Sequence, residues 1–151
     1  MEGRNISIFA FIQNEKDEVL LVLNKEEERQ DGGFTKPAGW GLPGGHVEAN
    51  EKDIDGLVRE IREETGIQPE DIEVDLFECY SEKKQNREPG GGIHLVMVMR
   101  VSLKVPSEKI TLQPSAITDV EEARWFKTNQ LPDNLYRSHR KRIERFLAKQ
   151  N

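Results

Sequence analysis

GGHVEANEKDIDGLVREIREETGI, residues 44–67, packs a glycine pair, an amphipathic run and a helix stop into one stretch. Its periodicity predicts a helix over residues 50–65. Asn50 is the expected N-cap, and Asp53 falls in the first turn, where an acid complements the macrodipole. Ile54, Leu57, Val58, Ile61 and Thr65 recur at i, i+3, i+4, i+7 and i+11, which makes one buried face. Gly66 is the expected C-terminal stop. Gly44 and Gly45, just upstream, let the backbone approach a ligand closely.

Working outward, residues 5–13 (NISIFAFIQ) and Glu18–Asn24 (EVLLVLN) read as strands joined by a hairpin-like turn. Residues 25–38 read as a loop with a charge run. Residues 72–80 and 93–105 are further strands, separated by a loop at 83–92 (KKQNREPGGG). Residues 122–126 predict a short strand and 137–149 a terminal helix. Hairpins and crossovers mix, so the expected class is α+β, a mixed-sheet sandwich.

Composition narrows the function classes. The chain has 151 residues, which suits a single domain over 1–151. Its one cysteine, Cys79, cannot form an internal disulfide or a thiolate zinc cluster, and a reducing, cytoplasmic setting is expected. No run approaches the ~18 apolar residues of a membrane span, so no membrane partner is expected. Net charge is −6, so a protein handling phosphates here needs cations to do it. The terminal helix is the exception: six basic side chains face only Glu144. An RNA or membrane footprint is conceivable there. A solvated helix docked on the sheet through Ile143, Phe146 and Leu147 is the preferred reading, and nucleic acid is disfavoured as a partner.

Glu60, Glu63 and Glu64 share a helix face by their i, i+3, i+4 spacing, a face read as turned well away from the apolar one. Three carboxylates within roughly 6 Å repel, and a helix C-terminus worsens the repulsion. A bound hard divalent cation, Mg²⁺ or Mn²⁺, would relieve it, since all-oxygen ligands suit such ions. Arg59 and Arg62 could neutralise part of the charge instead, leaving an ordinary salt-bridged surface.

The frame around these glutamates resembles the Nudix box, G-x5-E-x7-R-E-U-x-E-E-x-G-U with U aliphatic. Gly45, Glu51, Arg59, Glu60, Ile61, Glu63, Glu64, Gly66 and Ile67 fill every defined position. Seven fixed letters and two aliphatic ones match by chance on the order of once in 10⁹ windows, so the resemblance is specific. Trp40, Leu42, Pro43 and the Arg124-Trp125-Phe126 run also look like family features. Asn50 replaces a common glycine, and Gly56 replaces a common alanine inside the helix, which costs about 1 kcal/mol unless a close contact requires it.

The resemblance implies a Nudix-type α/β/α sandwich, a mixed sheet flanked by helices. It implies one to three Mg²⁺ or Mn²⁺ ions held by Glu60, Glu63, Glu64 and the Gly45 carbonyl. Arg59 is expected to fix a neighbouring glutamate, and Glu51 to orient a box residue or join a second metal. The general base is Glu60 or an acid in a later loop, for which Asp119 is the nearest match and Glu121 and Glu122 are rivals. Arg29, Lys36, Lys83, Lys84 and Arg87 are candidate phosphate contacts from flanking loops. His46 could touch phosphate, and Phe34 or Tyr80 could stack on a base. Trp40, Trp125 and Phe126 read mainly as core, and His94 as a satisfied, half-buried histidine.

The implied reaction is metal-dependent cleavage of a phosphoanhydride in a nucleoside diphosphate linked to another group. By analogy with MutT-like members, a nucleoside triphosphate giving NMP and pyrophosphate leads. Nucleotide sugars, ADP-ribose and capped RNA ends stay open, as does a non-catalytic nucleotide sensor. Isoprenoid diphosphate isomerisation ranks last, because it needs an added cysteine and extra segments. A monomer and a homodimer are both compatible with the sequence.

Overall fold

Side chains alternate along β1 (Ile6–Ile12) between two separate cores. Ile8, Ala10 and Ile12 enter one cluster, and Phe9 and Phe11 enter the other. That alternation makes β1 the middle of three layers. The structure, a computed structural model, describes residues 5–27, 36–85 and 92–150.

The first sheet has the order β4-β1-β6-β5, with β4 Gly44–His46, β5 Ile72–Gln85 and β6 Ile93–Leu103. β1 runs parallel to β6, while the other pairs are antiparallel, so the sheet is mixed. The second sheet is antiparallel, in the order β3-β2-β7, with β2 Glu18–Asn24, β3 Gly39–Gly41 and β7 Val120–Lys127. Helix α1 (Asp53–Thr65) covers one face, burying Leu57 and Ile61 against Ile8, Leu20 and Val22. Helix α2 (Arg137–Ala148) covers the other, burying Ile143 and Phe146 against Phe11, Val19 and Leu21. The expected α/β/α sandwich is therefore present. Among the described residues, no helix is long and apolar enough to cross a membrane.

Several boundaries depart from expectation. Helix α1 starts at Asp53 rather than Asn50, and its N-cap, Lys52, makes no side-chain capping bond. The chain before it turns instead, with the Glu51 N–H donating to the Glu48 carbonyl at 3.3 Å. The stop is as expected: Gly66 has φ 83° and donates to the Arg62 carbonyl. β5 runs well past Tyr80, because Glu82, Lys83 and Lys84 pair in register with Val96, Leu95 and His94. The basic helix does dock on the sheet, but it also buries His139 and Arg142, at 8% and 3% exposure.

Candidate active site

Helix α1 delivers the acidic side chains, and β4 brings the glycine pair over them. Arg59 is the hub. Its Nε and Nη2 donate to the two Glu51 oxygens at 3.0 and 2.8 Å, a bidentate clasp. Its Nη1 donates to Glu60 Oε1 and Glu63 Oε2, both at 3.1 Å. One guanidinium thus spans three carboxylates, and those contacts, the Glu51 hydrogen bond first, raise its pKa.

Glu64 is placed differently. Its Oε1 accepts the Gly44 N–H at 2.7 Å, and the residue is only 8% exposed. The charge of Glu64 predicts a side chain on a face turned from the core. Seven residues after Leu57, however, 7 × 100° returns to within about 20° of it. Glu64 therefore points inward beside the apolar stripe. Burial pushes its carboxyl up to about 8, against the pull of the Gly44 N–H and with the help of Glu60 and Glu63. Burial likewise raises the Glu60 pKa, opposed by Arg59.

The glycines make room for this. Gly44 has φ 145°, a conformation side chains rarely adopt. A Cβ on Gly45 would lie 3.2 Å from Glu60 Oε1, so glycine keeps open the space beside that oxygen. A Cβ on Gly56 would come within 2.7 Å of Glu51 Oε1. That is the close contact its mid-helix position called for: it seats the residue that clasps Arg59.

The expected site residues Gly45, Arg59, Glu60, Glu63 and Glu64 are thus brought together, with Glu51. Asp119 makes no hydrogen bond or ion pair with them among the described residues. It is exposed and lines a separate cleft of about 330 Å³ with Asn24, Lys25, Glu26, Glu27 and Lys36. Glu121 is exposed, and Glu122 pairs with Arg124. Lys36 places its Nζ 4.6 Å from the Tyr136 ring centre. His46 is exposed, its ring 5.2 Å from that of His94. His94 contacts Ser7 and Asn5, the satisfied histidine expected. Trp40 is buried, and Trp125 and Phe126 pack against the two cores. Arg29, Phe34 and Arg87 lie outside the described residues. The sequence reading missed two backbone anchors, the Gly44 N–H on Glu64 and the Leu42 N–H on His139, for which no local signal exists.

Among the described residues no three metal-ligating side chains stand ready-set around one point. The donors nonetheless suit a hard cation: clustered carboxylates, one of them buried with its pKa pushed up by that burial, with an open space kept beside Glu60. Arg59 supplies Glu60 and Glu63 with the positive charge that a bound cation would bring.

The Glu64 carboxyl sets a pH dependence. The folded chain keeps its proton up to about 8, whereas an unfolded glutamate releases it near ~4.3. Between those values the folded state binds more protons, so unfolding free energy falls as pH rises. The contribution is full below ~4.3 and is lost as pH passes through about 8. In metal-free buffer the parent should melt higher at pH 6 than at pH 8.5, by more than a Glu64→Gln variant does. Equal slopes for the two proteins in calorimetry would count against a buried, protonated Glu64.

A family model described as NUDIX domain matches residues 3–146. ADP-ribose pyrophosphatase of Methanocaldococcus jannaschii is 31% identical over 137 residues, 91% of this chain and 70% of that protein. Nudix hydrolase 6 of Arabidopsis thaliana is 38% identical over 75 residues, 50% of this chain and 25% of the plant protein. The crystal structure of the MutT protein from Methanosarcina mazei superposes with a TM-score of 0.68 at 25% identity, covering 97% of this chain and 94% of that one.

Proposed function

The chain belongs to the Nudix family and is a pyrophosphohydrolase, and from that premise we propose that it hydrolyses a nucleoside diphosphate linked to a sugar, with ADP-ribose as lead substrate. The observation that carries the site assignment is the set of three carboxylates gathered by one arginine, with a fourth, Glu64, held by the Gly44 backbone N–H beside them. The identity and coverage of the archaeal ADP-ribose pyrophosphatase support the substrate.

Glu60, Glu63 and Glu64 are the residues that would hold Mg²⁺ or Mn²⁺, with the Gly45 carbonyl as a further donor. When bound, the ion supplies positive charge for the pyrophosphate oxygens and eases deprotonation of the attacking water. Glu64 would have to be ionised to serve as a ligand. Arg59 holds Glu60 and Glu63 in the metal-free chain and is anchored by its two bonds to Glu51, which would keep the arginine aligned were those two carboxylates to hold an ion. Glu60, whose pKa burial raises, is the group assigned to orient or deprotonate water. Asp119, in its own cleft with Lys36, is better placed to contact the distal part of a substrate than to act as base.

A second reading, a nucleoside triphosphate cut to NMP and pyrophosphate, is favoured by the likeness to the Methanosarcina MutT protein. A substrate panel with Mg²⁺ and product analysis separates the two. ADP-ribose should give AMP and ribose 5-phosphate with a kcat/KM at least ~10-fold above any triphosphate, a gap of about 1.4 kcal/mol. The reverse order would select the triphosphate reading. Binding across the panel without turnover would remove the enzymatic proposal altogether.

A further inference from the structure

Between β3 and β4 the chain leaves one sheet for the other, and Leu42 and Pro43 make that crossing. A crossing strands its backbone groups: Pro43 has no N–H, and the buried Leu42 N–H has no ladder partner. The partner comes from the far layer. The Leu42 N–H donates to His139 Nδ1 at 2.9 Å, across 97 residues of chain. The same helix approach clamps the preceding residues. Trp40 N–H donates to the Asn134 carbonyl, and Tyr136 N–H donates to the Trp40 carbonyl. A Cβ on Gly41 would stand 3.2 Å from His139 Nδ1, so glycine there lets the ring reach its target.

The ring can make this bond only when neutral. Accepting at Nδ1 puts the proton on Nε2. Burial opposes a charged ring, and Arg142 adds to that: its guanidinium lies 3.3 Å from Nε2, a charge contact between two donors and not a hydrogen bond, held there by Glu82 at 2.7 and 3.1 Å and laid over the Phe9 ring. Among the described residues, the charged groups acting on the ring are Arg142, Lys36 and Lys84, all positive, and the Tyr136 phenol packs beside it.

Two residues beyond Leu42, the Gly44 N–H meets the Glu64 carboxyl at 2.7 Å, and Gly45 borders Glu60. We propose that His139 is a positioning residue for the hydrolytic site: its Nδ1 pins Leu42, and the pinned crossing sets the glycine pair against Glu64 and Glu60. This rests on the metal-site reading given above. It assigns to the basic terminal helix a part in building that site, through a buried side chain and not through its exposed charge.

The test begins with the unaltered protein. The Leu42 amide should exchange with solvent at least ~10-fold more slowly than amides of exposed loops, as a buried bonded donor does. Rapid exchange would overturn the proposal before any variant is made. His139→Asn places Oδ1 where Nδ1 stands, whereas His139→Phe keeps a ring and removes the acceptor. With native circular dichroism, His139→Phe should bind Mg²⁺ alone ~10-fold or more weakly in calorimetry, as loss of an outer support does. Its kcat should fall in parallel with little change in KM, and His139→Asn should restore both to within about threefold of the parent. If His139→Phe unfolds, the asparagine variant and the exchange data still decide. A folded phenylalanine variant with parental Mg²⁺ affinity, or an asparagine variant as impaired as the phenylalanine one, would refute the role. Absence of turnover on every nucleotide would sink the substrate proposal but leave the exchange and Mg²⁺ measurements able to judge this one.

Discussion

Glu64→Gln should fold as well as the parent at pH 7 and turn over at least ~10²–10³-fold more slowly, the scale of losing one preorganised electrostatic group. The two halves of that expectation come from one fact. In the metal-free chain Glu64 is buried and holds its proton up to about 8, so a neutral side chain already stands there at pH 7. Glutamine has the same shape, and its carbonyl oxygen can accept the Gly44 N–H as Glu64 Oε1 does. Folding loses nothing. The variant cannot ionise, however, so it offers no anionic oxygen to a cation. Thermal melts and single-turnover rates with saturating Mg²⁺ measure the two halves separately. A glutamine variant within threefold of parental turnover would remove Glu64 from the metal set. One that unfolds would make the cluster a piece of scaffolding.

Glu63→Gln makes a useful contrast. Glu63 is half-exposed and bonded to Arg59, not buried against β4. Its substitution should reduce Mg²⁺ affinity and only weaken the pH dependence of stability, because burial is the first cause of the Glu64 shift and the Glu63 charge a lesser one.

How much of this the sequence disclosed depends on the range of the forces involved. Local periodicity carried helix α1, since Leu57, Ile61 and Thr65 are buried and Ile54 and Val58 pack against the same core. Neighbouring repulsion among Glu60, Glu63 and Glu64 pointed to the site, because all three sit within one turn. Glu64 showed the limit of the same reasoning. Its charge suggested solvent, while its angle, one heptad after Leu57, placed it toward the core, and the Gly44 N–H that stabilises it comes from 20 residues away. Charge misled again at Arg142. A basic residue on a basic helix reads as surface, yet Glu82 on a neighbouring strand pairs with it and allows burial. β5 was cut short for a related reason: Lys83 and Lys84 look like a loop until β6 is known to pair with them. Each miss is a case in which a long-range partner reversed the local meaning of a charged side chain.

The largest loss of stability should come from Gly44→Ala. A Cβ there would lie 2.1 Å from the Ile8 carbonyl oxygen and 2.7 Å from Phe9 Cα, both backbone atoms of the paired strand. Neither can rotate away, so β4 would have to part from β1. The residue's φ of 145° adds conformational strain of about 1–3 kcal/mol for any side chain. With the clash, a total near ~4 kcal/mol places the variant among severe point substitutions. At this chain length that lowers Tm by roughly 10 °C or more. Gly45→Ala, one position on, should behave otherwise. Its Cβ meets only the Glu60 carboxylate, at 3.2 Å, the end of a side chain able to swing aside. It should melt within a few degrees of the parent and lose activity by about tenfold or more, because the displaced group is a proposed metal ligand. Comparing the pair separates what the two glycines do: the first lets the strands meet, and the second leaves space for the chemistry. If Gly44→Ala melts like the parent, β4 does not pair with β1 as described. If Gly45→Ala keeps full turnover, the open space beside Glu60 has no part in catalysis.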